Sequence, residues 1–311
     1  MSAFFTVTKK ELQDHFNSWR FLVMLFIIVT GIIYVYFAIG NIKTSATGAE
    51  SYVFLSLFTT QAFNISTSLI PSSFLTLMST VLPIAGIVLG LDAINGEKNN
   101  GTLSRLVSQP IYRDNIINAK FLAGIITIGV TLISTVLLVS ALGLWKLGVP
   151  PSSEEIIRTF FFLVFGIVYG GFWLGLAILF STLFKQVALS AILSIAVWIF
   201  FAFFFPLIYQ SMASNAQTIQ DAERAINITR ISPLYLFSES MAVVLFPQIR
   251  SASQMLQVIT TDAGNFLLAT PLSVWQSFIA VWWEVLITVV LTIVCFAGSY
   301  LKFMFEEIRS L

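Results

Sequence analysis

The residues best placed to do chemistry sit in one polar island of an otherwise apolar chain. From Asp92 it reads Asp-Ala-Ile-Asn-Gly-Glu-Lys-Asn-Asn-Gly-Thr-Leu and continues to Gln109, Pro110 and Arg113. Gly96 and Gly101 stand at the separation found in a phosphate-binding loop, whose backbone N–H groups cradle a nucleotide. Thr102 occupies the position where that loop needs its lysine, and the segment follows a long apolar run rather than a strand. Nucleotide binding by this chain is therefore not expected. The island reads instead as a polar turn followed by a short amphipathic helix over about 103–107, closed by Pro110. Gly101 permits a sharp backbone turn, and Thr102 can cap the helix after it. Glu97 and Arg105 are long, charged and expected to face water, which suits reversible docking to another protein.

Few other residues have reactive potential. Glu284 lies inside the last apolar run, just after Trp282 and Trp283. A carboxylate there is costly unless it faces protein or water, so a water-accessible cleft near the outer exit of a path is expected. The competing reading places it in the outer interface, with the two tryptophans as an aromatic belt. The single histidine, His15, and the single cysteine, Cys295, leave no His/Cys cluster for a metal and no internal disulfide. With no Gly-x-Ser-x-Gly and no paired carboxylates in an apolar run, no catalytic or metal site is expected.

Composition fixes what must position these groups. Hydrophobic residues make up 57 % of the 311 residues and charged residues 10 %, with a mean hydropathy of +0.91. That leaves too little polar surface to enclose a soluble core. A net charge of +1 gives no field that would draw nucleic acid. A membrane helix needs roughly 20 mainly apolar residues, and six stretches qualify: 21–40, 74–91, 119–145, 159–184, 187–208 and 277–301. The fold expected is an all-α integral membrane protein, a single membrane domain over 1–311. The short break at Lys185-Gln186 reads as a tight hairpin.

Orientation follows from the basic residues. Ten of the sixteen group with the termini: Lys9, Lys10, Arg20, Lys98, Arg105, Arg113, Lys120, Lys185, Lys302 and Arg309. Six lie on the other side in longer segments: Lys43, Lys146, Arg158, Arg224, Arg230 and Arg250. Both termini and the polar island are thus expected in the cytoplasm, with the chain multi-pass in the cell membrane. The outer segments at 52–58, 234–237 and 241–247 are too short to span and too apolar for water, so they read as interfacial or re-entrant helices. The segment 215–230 reads as a solvated helix. Over residues 1–20, Phe5, Leu12, Phe16 and Trp19 share one helical face, as in a helix lying on the inner interface. Pro83 should kink the second span. The small-residue pairs Gly86/Gly90, Gly166/Gly170 and Gly171/Gly175 should mark close helix contacts within one subunit.

The order acidic residue, gap, Gly101-Thr102-Leu103, then Pro110 and Arg113 resembles the first cytoplasmic loop of type-2 ABC transporter permeases. The amphipathic N-terminus, the six spans and the large last outer loop are similar as well. The resemblance implies an interfacial elbow helix and a cytoplasmic coupling helix. Glu97, Gly101, Thr102, Leu103, Arg105, Pro110 and Arg113 would then form the coupling surface toward a separate ATPase in two copies, which carries ATP and Mg. It also implies a second permease copy, as a homodimer or close heterodimer, and export more often than import. Exporters of drugs, lipids and peptides, sodium-efflux permeases and permeases for copper-enzyme maturation share this loop. Two alternatives stand beside it: an ion-coupled carrier or channel using Glu284, and an intramembrane enzyme.

Overall fold

The computed structural model describes residues 3–45, 52, 54–59, 73–103, 112–214, 224, 227–247 and 272–305. No strand occurs among them. The helices are α1 (Ala3–Phe16), α2 (Arg20–Ser45), α3 (Ser56–Thr59), α4 (Phe74–Gly90) and α5 (Asn95–Asn99). They continue with α6 (Arg113–Leu147), α7 (Ser153–Leu183), α8 (Val187–Ile199), α9 (Phe205–Ser214), α10 (Pro233–Leu245) and α11 (Val274–Phe305). A π-helical turn, Phe200–Phe204, joins α8 to α9. It ends where Pro206 removes a backbone donor from the ladder.

Six helices are long and apolar enough to cross a membrane, and each falls on one of the six apolar stretches. Most run past them, because polar flanks continue a helix that hydropathy alone would stop. At about 1.5 Å per residue, α6 reaches ~50 Å. Gly148, at φ +73°, ends it by donating its N–H to Leu144 O. Ser152 and Glu155 then start α7 with reciprocal side-chain caps on each other's backbone N–H.

Helices α4 and α7 are buried over most of their length, whereas α2, α8 and α11 are largely exposed. The α4–α7 seam is a backbone contact. A Cβ on Gly86 would lie 2.6 Å from Gly170 O, and one on Gly90 would lie 2.8 Å from the Ala177 Cβ and 2.9 Å from Leu174 O. Gly166 and Gly171 admit the side chains of Leu132 and Ile125 from α6. All three expected small-residue pairs therefore contact neighbouring helices of this chain. Pro83 cannot donate to Ser79 O, and the buried Tyr169 hydroxyl of α7 donates to that carbonyl instead, at 2.9 Å.

At the end of the bundle opposite α1 and α5, the first turn of α7 gathers the surrounding segments. Arg158 is fully buried. It donates to Val244 O and Leu272 O, each at 2.6 Å, and to Ser277 Oγ and Glu154. Glu155 accepts from the N–H groups of Phe54 and Leu55. Two expectations change here. The run at 234–237 and most of that at 241–247 lie on one helix, α10, whose apolar side chains pack against α4, α7 and α11 inside the protein; of the two readings, interfacial and re-entrant, only the interfacial one is set aside. Phe54, Leu55, Leu57 and Phe58 are buried as well. Their backbone ends are satisfied by protein groups, which removes the need for water or headgroups. The solvated helix expected over 215–230 lies largely outside the described residues.

Candidate functional site

The polar island folds back onto the end of α7. After α4 ends, a turn over 91–94 leads into the one-turn helix α5. Ser181 Oγ accepts from the N–H groups of Ile94 (3.0 Å) and Asn95 (3.2 Å) and donates to Asn95 Oδ1. Asn95 Nδ2 donates to Phe184 O, and Asn99 Nδ2 to Lys185 O. The loop is thereby bonded to the short link between α7 and α8. Gly101 takes a left-handed backbone at φ +68°, with open space around its Cβ direction. Leu103 is buried. The Thr102 hydroxyl donates back to Glu97 O at 3.1 Å. Arg105, Pro110 and the expected helix over 103–107, past Leu103, lie outside the described residues. Arg113 opens α6.

Helix α1 lies across this loop and the start of α6. Its seam buries Thr8, Glu11 and His15, while Phe5, Phe16 and Trp19 form a separate, exposed apolar face. Lys120, about two turns into α6, is 5 % exposed and bonds Glu11 Oε2 at 3.0 Å and Glu97 Oε1 at 2.9 Å. Lys10 reaches Glu11 at 3.1 Å, Asp14 at 3.2 Å and Glu97 at 3.3 Å. Arg20, at the start of α2, pairs with Asp92 and donates to His15 Nδ1. Glu97 is thus not the water-facing side chain the sequence suggested; only 15 % of it is exposed. A buried ammonium on α6 needs carboxylates, and Glu97 is one of the two that Lys120 recruits. Neither that pairing nor the Arg20–Asp92 bridge was visible in the sequence, because the partners come from different helices.

The cluster shifts its own protonation. Burial disfavours the Lys10 ammonium, but the charges of Glu11 and Glu97 outweigh it and hold its pKa above the ordinary lysine value. Burial also works against the Glu11 carboxylate, and Lys120 and Lys10 overcome it, keeping Glu11 below its usual range. For His15, burial and then the charge of Arg20 push the pKa down to about 4. His15 is therefore neutral at neutral pH and accepts from Arg20.

Glu284 is partly buried; its Oε2 is covered by protein and has no hydrogen-bond partner among the described residues. Beside it lies a bidentate pair in which Arg230 donates to Glu239 at 2.7 and 3.1 Å. Glu284 feels both charges. Trp282 and Trp283 point outward, half exposed. The basic residue near Glu284 comes from a segment outside the spans, which is why a search along the spans missed it.

A pH dependence follows. His15 and Glu11 both have folded values below their ordinary 6.5 and 4.5. Each therefore stabilises the assembled cluster above its ordinary value, and that contribution is lost as pH falls through the folded one. Hydrogen-exchange protection of the α1 amides, corrected for intrinsic rates, should begin to fall below about pH 6.5. His15→Gln should flatten the upper part of that fall and leave the part due to Glu11. A wild-type profile that stays level down to pH 4 would contradict the assignment.

Comparison with known proteins agrees with this architecture. Residues 5–308 match the family described as ABC-2 family transporter protein. A relative, the probable ABC transporter permease protein NosY of Pseudomonas aeruginosa, is 27 % identical over 214 residues, covering 67 % of this chain and 70 % of that protein. Neither match favours an ion-coupled carrier. Nearly the whole chain, with its six apolar helices, thus falls under one family: it belongs to the ABC-2 transporter proteins, as a transmembrane permease subunit.

Proposed function

We propose that this permease is driven by a separate ATPase, in two copies with ATP and Mg, that docks on the loop over 95–113 and on α1. The observation that carries the reading is the Lys120–Glu97–Glu11 cluster, which ties the loop, α1 and the start of α6 together. A push on such a loop is delivered to three helices at once. In this reading the termini and the loop lie in the cytoplasm of the cell membrane, and α1 lies along the inner interface with Phe5, Phe16 and Trp19 in lipid. Two permease copies form the path, and ATP-driven closure of the ATPases opens it outward for export. Glu97, Gly101, Thr102, Leu103, Arg105, Pro110 and Arg113 remain the proposed coupling residues, with Glu97 acting from within the cluster.

Gly101 gives the cleanest test, because its Cβ direction is open and only its positive φ resists a side chain. Gly101→Val, strained at that φ, should still leave expression and membrane insertion intact but release a co-expressed ABC ATPase from the tagged chain, whereas Gly101→Asn should retain it. Full retention by Gly101→Val would place docking elsewhere.

Glu284, with the Arg230–Glu239 pair, is the proposed polar point on the outer part of the path. Its support is the uncompensated carboxylate oxygen, a group rarely left in apolar surroundings without use. Glu284→Gln keeps size and removes charge, so it should alter substrate-stimulated ATPase activity of the complex. A fully active Glu284→Leu would reduce the residue to an interfacial decoration.

A further inference from the structure

Between α1, the 91–102 segment and the start of α6 lies a cleft of about 370 Å³. Its charges do not balance. Three cations, Lys10, Arg20 and Lys120, face four carboxylates, Glu11, Asp14, Asp92 and Glu97, while His15 is neutral. One acceptor in the cleft also lacks a donor. Lys10 and Lys120 both bond Glu97 at Oε1, leaving Oε2 buried and with no hydrogen-bond partner among the described residues. A carboxylate oxygen withdrawn from water without a donor is costly, and such atoms are uncommon in folded proteins. The cleft as a whole thus carries one negative charge more than its cations balance, and Glu97 Oε2 within it lacks a donor.

We infer that this cleft receives a basic side chain, arginine or lysine, from the docked ATPase, and that the incoming cation takes Glu97 over from Lys10. The inference rests on the docking reading above and adds the chemistry of the partner's contact. Lys10 is the exchangeable ligand. Its side chain is 47 % exposed, and on leaving Glu97 it keeps Glu11 and Asp14. Lys120 is 5 % exposed and stays. A guanidinium fits best, since its planar fork can bond a carboxylate at two oxygens.

The test titrates the purified ATPase onto the full chain in nanodiscs. Glu97→Gln should weaken binding about tenfold, the loss of one charge-assisted bond. Lys10→Gln should bind as well as wild type or a few-fold tighter, because it frees the acceptor and makes the cleft more negative. A purely internal strut predicts the opposite for Lys10→Gln, since both variants cut the same ties, so weakening in both overturns the inference. If Glu97→Gln folds poorly, Lys10→Gln alone decides by the sign of its effect. If Glu97→Gln leaves binding unchanged while Gly101→Val abolishes it, docking stands and the basic contact falls. If Gly101→Val also binds normally, the docking reading itself fails.

Discussion

A lysine ammonium buried near the start of a membrane helix dictates the arrangement at this end of the protein. Lys120 cannot stay charged there without compensation, and two carboxylates from different segments supply it. Glu11 brings α1 across the start of α6, and Glu97 pulls the loop after α4 inward. Once both are in place, Lys10 fills the gap between them, and Arg20 with Asp92 fixes the start of α2 to the end of α4. Burial, and then the charge of Arg20, suppresses His15 protonation, so the cluster is neutral at its histidine and slightly negative as a whole. Lys120 is the member the rest depend on: without it Glu11 and Glu97 would share only the half-exposed Lys10, so the contacts act together rather than as a sum of pairs.

Arg158 repeats this logic at the opposite end, with backbone carbonyls in place of some carboxylates. It draws the end of α10, the approach to α11 and the first turn of α7 to one guanidinium. Helix α7 therefore carries the anchor of the polar loop, Ser181, near its last turn and the clamp on the far segments, Arg158, within its first two. Along its length the glycine seam with α4 allows backbone contact, and close packing of that kind moves as a body rather than deforming.

The spans were legible because each apolar stretch is continuous and its transfer energy is local. Gly101 was legible too, since a glycine in a polar turn announces a backbone that other residues avoid, and φ is indeed positive there. The charged contacts were hidden for a common reason. Hydropathy reads Lys120, Arg158 and Glu97 as polar and assigns them to water, and the partners that make burial tolerable come from distant segments. The two runs that form α10 looked interfacial because nothing local reveals that α4, α7 and α11 leave a place for them.

The central claim is that α1, the polar loop and the start of α6 behave as one body held by Lys120. Spin labels at Gln13 and Asn100, both exposed, on a Cys295→Ser background would measure the distance across the cluster in the ATPase-bound complex. The account predicts one narrow distance that does not change when ATP binds, and that broadens in Lys120→Met. A wild-type distance that shifts or splits on ATP binding would show that the loop moves apart from α1, and would contradict it.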